Sequence, residues 1–198
     1  LYERYGFRTW LRDLTGEPDR VPVGDKRVAP VEARPSAPDR VDYQTVTDMA
    51  ALDQWINLLN QSDVVALDTE TTSLDAMQAR LVGISLSVAA GKACYIPVAH
   101  RGTDAHIQLP IADVLQRLKP WLEDKRPTKV LHHAKYDTHV FANEGIDLQG
   151  VLGDTMLQAY VLESHRSVAL HELSQRILGL KGLTYEEICG KGANQIGF

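Results

Sequence analysis

Asp68-Thr69-Glu70 places two carboxylates two positions apart, directly after the apolar run Val64-Val65-Ala66-Leu67. Side chains alternate along a strand, so Asp68 and Glu70 share a face. Like charges held side by side call for a compensating cation, and hard oxygen donors suit Mg²⁺ or Mn²⁺. A third acid, Asp137 in Lys135-Tyr136-Asp137, follows the short strand candidate Lys129–His132. It stands where a helix would start beside a strand end, a good place to complete such a set. Each acid also has an ordinary reading. Acid pairs at strand ends are often simply solvated, and an acid in a first helical turn complements the helix dipole. His132, His133 and His139 lack the spacing of a zinc site, because adjacent residues on a strand point to opposite sides. No GxSxG, no cysteine set and no phosphate-cradling loop competes, since Gly190-Lys191-Gly192 is short and lacks a preceding strand.

The elements that must position these acids follow from periodicity. Asp42–Val46 reads as a strand, and Thr47 or Asp48 can cap a helix reaching Leu59, with Leu52, Trp55, Ile56 and Leu59 on one face. After the strand Val64–Asp68, Leu81–Val88 and Ala93–Val98 form a hairpin around Gly91-Lys92. Pro110 opens a helix to Leu122. Lys135–Glu144 is a helix closed by Gly145. Asp154 is expected to cap a further helix with Met156, Leu157, Tyr160 and Val161 facing inward, and Leu170–Leu178 and Thr184–Ile188 read as helices. The expected class is α/β, a mixed sheet combining a hairpin with parallel additions. Residues 1–14 suggest a short amphipathic helix, and residues 15–40, with five prolines, a flexible linker.

The chain has 198 residues, 44% hydrophobic and 24% charged, which fits a soluble domain with a real core. A net charge of −5 argues against holding nucleic acid by bulk electrostatics, yet leaves room for gripping a few phosphates through metal ions. Two distant cysteines suggest free thiols in a reducing compartment, and neither a membrane-length apolar run nor a secretory leader is present, so a cytoplasmic location is expected.

Asp68-Thr69-Glu70-Thr71-Thr72-Ser73-Leu74 resembles the first motif of the DEDD exonuclease superfamily as found in bacterial DNA polymerase I, and His133-Ala134-Lys135-Tyr136-Asp137 resembles the second. Leu81–Ser85, Tyr95–His100, Asp154–Leu157 and Gly190–Gln195 resemble further stretches of the same proofreading domain, so the likeness runs from about residue 42 to Phe198. Residues 1–14 resemble the tail of a 5′-nuclease domain, which gives the order tail (1–14), linker (15–40), exonuclease domain (41–198).

The resemblance implies an RNase H-like fold and two-metal 3′→5′ hydrolysis of a single-stranded DNA 3′ end, with a polymerase domain following in the parent chain. Asp68, Glu70 and Asp137 would be the catalytic acids and metal ligands. Thr69, Leu74, His133, Tyr136 and Tyr185 would meet the substrate, Leu74 wedging at the terminal base and Tyr185 packing on it. Read as plain residues, Leu74 and Tyr185 fit ordinary core packing equally well. His133 departs from the family's usual Asn. The third motif, a Tyr and a fourth carboxylate, would fall after Phe198, so the chain is expected to be a fragment of low activity by itself. An inactive structural domain and an RNase D-like RNA exonuclease are the alternatives. Retention of the acids disfavours the first, and the nuclease-like tail disfavours the second.

Overall fold

The computed structural model describes residues 41–101 and 107–191. The helix and linker expected over residues 1–40 lie outside them. In chain order the elements are β1 (Asp42–Thr45), α1 (Met49–Asn60), β2 (Val64–Thr71), β3 (Leu81–Ala89), β4 (Lys92–Pro97), α2 (Ile111–Leu122), β5 (Thr128–Leu131), α3 (Ala134–Asn143), β6 (Val151–Asp154) and α4 (Thr155–Leu162). A short α5 (Leu170–Leu173) runs into a π-helical turn (Ser174–Leu178), and α6 (Tyr185–Cys189) follows. The sheet order is β1-β4-β3-β2-β5-β6. β2, β3 and β4 pair antiparallel, whereas β1 joins β4, and β5 joins both β2 and β6, in parallel. This is the mixed α/β sheet that the alternation predicts.

Local chemistry explains most boundaries. Asp48 caps α1 by accepting from the Ala51 amide at 2.8 Å, and Leu52, Trp55 and Leu59 bury the helix's apolar face. Gly91 and Gly145 take left-handed conformations at φ 77° and 76°, turning the β3–β4 hairpin and ending α3. On β2, Val65, Leu67 and Thr69 point into the core, together with Ile84, Leu86 and Ile96 from the neighbouring strands. Asp68 and Glu70 therefore lie on the other, half-open face. Among the described residues no helix is long and apolar enough to cross a membrane.

Most boundaries shift by a residue or so, and three differences bear on the site. β2 runs on to Thr71, and β5 stops at Leu131 rather than His132. β6 is a strand that hydrophobic period does not announce, because Gly153 interrupts it. The glycine permits a close approach there, since a Cβ would meet Val130 Cγ2 at 3.1 Å and the valine would have to give way. The inward face expected for α4 is corrected most clearly. Leu157, Tyr160 and Val161 are exposed, and Met156 is only half-buried. The helix packs on β6, the edge strand, whose Leu152 is itself exposed, and among the described residues nothing covers that face.

Asp154, at the end of β6, holds two helices at once. Its carboxylate caps α4, accepting from Met156 N (3.0 Å) and Leu157 N (3.2 Å). It also accepts from His133 N (3.2 Å) and Ala134 N (2.9 Å) at the start of α3. Burial works to raise its pKa, but these amide donors hold it below the usual carboxylate range. A depressed pKa stabilises the fold above the unfolded value and is lost as pH falls through the folded one. Asp154→Ala is expected to cost about 2 kcal/mol at pH 7, roughly the loss of two caps, and progressively less below about pH 4. Chemical denaturation across that range checks both the size and the direction.

Candidate active site

The unequal lengths of β2 and β5 create the site. β5 pairs with β2 only from Val64 to Ala66, whereas β2 pairs with β3 from Ala66 through Thr71. The acid-bearing half of β2 therefore has a strand neighbour on one side only. The chain leaving β5 turns into α3 at that point, and α3 packs against both β2 and β5. Its first turn carries Asp137 to the strand, where the side chain is 2% exposed.

Asp137 Oδ1 accepts a hydrogen bond of 2.6 Å from Thr69 Oγ1. Thr69 thus faces the core and its hydroxyl is committed to Asp137. Burial pushes the Asp137 carboxyl up to about 7; the Thr69 hydroxyl opposes the rise, and the Asp68 charge adds to it. Burial also raises Asp68, against the pull of the Thr69 backbone amide and His132. Glu70 is raised by burial and then by Asp68. All three acids are destabilised in their charged forms, and among the described residues none has an ion pair with Lys or Arg. An uncompensated set of hard oxygen donors fits a divalent cation. Among the described residues, however, no three acid, imidazole or thiol groups converge closely enough to hold one ion by themselves. Mg²⁺ commonly relies on one or two carboxylates plus substrate phosphate and water.

The backbone explains His133. It precedes α3 in the left-handed region (φ 76°, ψ 46°), the only non-glycine with positive φ among the described residues. Asn and His are among the side chains that tolerate this conformation. The His133 ring stacks on Tyr136, with centroids 5.8 Å apart and planes at 16°. The Tyr136 hydroxyl donates to the Ser73 carbonyl and shares a hydrogen bond with Thr71 Oγ1. It therefore fastens the loop after β2 to α3.

Two further ties hold that loop. Asn143 Nδ2 donates to the Ala76 and Ala79 carbonyls (2.8 and 3.0 Å), and Arg80 forms a two-pronged pair with Glu144 (2.8 and 2.9 Å). The pinned loop presents Leu74, which is 98% exposed, so the core-packing reading of Leu74 fails. Tyr185 opens α6 and is half-exposed; it belongs to the helical segment after α4 rather than to the β2–α3 edge. The loop ties and the second role of Asp154 have no signal in the sequence, since the partners lie 20 or more positions apart.

A family model described as a 3′-5′ exonuclease matches residues 43–198. The DNA polymerase I of Pseudomonas aeruginosa is 41% identical over all of this chain, which spans 21% of that protein's length. The DNA polymerase I of Rhizobium leguminosarum is 37% identical, with 81% of this chain and 17% of that protein covered. Among solved structures, the POL domain of Pol1 from M. smegmatis, in complex with DNA primer-template and dNTP, aligns with a TM-score of 0.58 at 26% identity, over 71% of this chain and 23% of that one. Trypanosoma brucei RNase D in complex with RNA U12 shares the fold, with a TM-score of 0.55 at 18% identity over 72% of this chain and 48% of that one.

Asp137 provides a test in metal-free protein. Its raised pKa means that it stabilises the fold fully below the unfolded value near 4, a contribution lost as pH rises to about 7. Asp137→Asn keeps an acceptor for Thr69 and never ionises. The variant is expected to match the unaltered chain below about pH 4 and to melt higher than it above about pH 7, as read by thermal denaturation in EDTA. At the left-handed position, His133→Asn should leave stability nearly unchanged, whereas His133→Val should cost about 1–2 kcal/mol, measurable by chemical denaturation.

Proposed function

The chain belongs to the 3′-5′ exonuclease family found within DNA polymerase I, and from that premise we propose that it hydrolyses the 3′-terminal phosphodiester of single-stranded DNA as the proofreading part of a polymerase. The observation that carries the reading is the acid set at the open edge of β2. Asp68 and Glu70 share the half-open face, Asp137 approaches from the core side, and among the described residues no Lys or Arg pairs with them. Such a cluster repels a phosphate by itself, so catalysis at this place calls for cations between the acids and the DNA.

Asp68, Glu70 and Asp137 would hold two Mg²⁺ or Mn²⁺ ions. When bound, these supply neutralisation of the scissile phosphate and a more acidic attacking water. Glu70, on the accessible side of the set, orients that water and accepts its hydrogen bond. Thr69 fixes the Asp137 carboxylate through its hydroxyl. Leu74 meets the terminal base from the pinned loop, the His133–Tyr136 stack offers a flat face for the approaching strand, and Tyr185 packs on the base once the DNA is seated. Release of the terminal unit gives a nucleoside monophosphate.

The identity with the Pseudomonas and Rhizobium proteins favours DNA over RNA as the substrate and a polymerase domain in the same parent chain as the partner. The tail at 1–14, the linker at 15–40 and a cytoplasmic site of action belong to the same proposal.

In the full-length protein, Asp68→Ala is expected to lower release of nucleotides from a 3′-labelled single strand by roughly a thousandfold in Mg²⁺. Undiminished release would overturn the site. Leu74→Ala should raise KM for the strand several-fold with the melting temperature unchanged, as suits a fully exposed side chain. A drop in melting temperature would instead return Leu74 to a packing role.

A further inference from the structure

Gly83 is the cross-strand partner of Glu70. Directly opposed residues in an antiparallel pair point to the same side, so a side chain at position 83 would stand beside Glu70. That space is already filled. A Cβ built on Gly83 would collide with the Tyr95 phenol, whose Cε2 lies 2.6 Å away and whose hydroxyl lies nearer still. Tyr95 comes from β4 and pairs with Ser85, which pairs in turn with Asp68. Its ring therefore leans along the sheet face from the Asp68 row into the Glu70 row. Opposed Cβ positions are about 5 Å apart, so Oη lies beside the Glu70 row within side-chain reach, although in this structure it bonds to His100 and no hydrogen bond joins it to Glu70. The charge on Glu70 is felt at the phenol: after burial, it is the next cause raising the Tyr95 pKa.

The hydroxyl is braced from its far side. His100 Nε2 shares a hydrogen bond with Tyr95 Oη, the two rings meeting edge to face at 5.6 Å. The His100 backbone is clamped in both directions by Gln108, whose Oε1 accepts from His100 N (2.9 Å) and whose Nε2 donates to His100 O (3.2 Å). Hydrogen-bond arithmetic then sets a condition on the protons. A phenol has a single donor, and an ionised carboxylate only accepts. Oη can serve Glu70 only by donating to it, which requires that His100 supply Nε2–H to Oη.

We propose that Tyr95 is a positioning residue for Glu70: its hydroxyl, brought beside Glu70 because Gly83 has no side chain and oriented by Nε2–H of His100, is placed to donate to the Glu70 carboxylate when that side chain turns toward it. The inference rests on the reading of Glu70 as the acid that serves the attacking water. That bond would hold one carboxylate oxygen and leave the other for the attacking water. The spacing Gly83…Tyr95…His100 thereby has one purpose, a donor–acceptor chain of neutral groups ending on a catalytic acid.

The test uses the full-length protein for activity and the metal-free chain for spectroscopy. Tyr95→Phe keeps the ring over Gly83, so the melting temperature should hold, while kcat for 3′-nucleotide release falls about tenfold, the scale of one hydrogen bond to a charged group, with KM unchanged. His100→Ala should lose as much, and His100→Gln, whose amide can donate to Oη, should recover most of it. In the unaltered metal-free chain, ¹⁵N NMR of His100 should find the proton on Nε2. An unchanged kcat in Tyr95→Phe, or an Nδ1–H tautomer, overturns the inference. Glu70→Gln separates the two levels: if it is silent, the reading of the acid site fails, whereas an impaired Glu70→Gln beside a silent Tyr95→Phe defeats the Tyr95 assignment alone.

Discussion

Negative charge held out of water with no Lys or Arg partner among the described residues is the constraint on which this domain is built. Asp68, Glu70 and Asp137 are each shifted toward their neutral forms by burial, and each carries further shifts from its neighbours. An apo fold could relieve that repulsion by letting the acids splay. Asp137 at least is held in place: Thr69 bonds it, and Asp154 fixes the start of the helix that carries it. Free energy lost at the acids is offset by capping and packing elsewhere, the usual way that strain is kept at a functional site.

The sheet makes the cluster possible by ending one strand early. If β5 ran the length of β2, the partner side of Asp68–Thr71 would be filled by ladder hydrogen bonds and α3 could not reach it. Because β5 stops, the turn into α3 passes through a left-handed residue, His133, and the first helical turn drops Asp137 against Thr69. The same helix then steadies the loop bearing Leu74, through Tyr136 at one end and Asn143 and Glu144 at the other. One helix thus sets both the buried acid and the exposed loop, so Asp137 and Leu74 keep a common frame.

Much of this architecture is legible along the chain because it is local. Alternation over Leu81–Val88 and Ala93–Val98, the cap at Asp48 and the glycine at 145 are decided by residues within a few positions of one another. β6 escapes that logic, because Gly153 answers to a close approach by Val130 rather than to strand propensity. α4 misleads it, because an apolar helix is expected to bury one face, yet this one packs chiefly on an edge strand and leaves Leu157, Tyr160 and Val161 exposed among the described residues.

The sequence by itself determined the acids, their face on β2, the order of elements and the family, since period and motif are properties of neighbouring residues. The tertiary structure decided which groups those acids answer to. Thr69 meets Asp137 across 68 positions, Asp154 holds the start of α3 from about 20 positions away, and the Tyr95 phenol fills the space beside Glu70 left by Gly83. Such pairings depend on strand register and on where a strand ends, and these are fixed by packing of the whole sheet rather than by any segment's own preference.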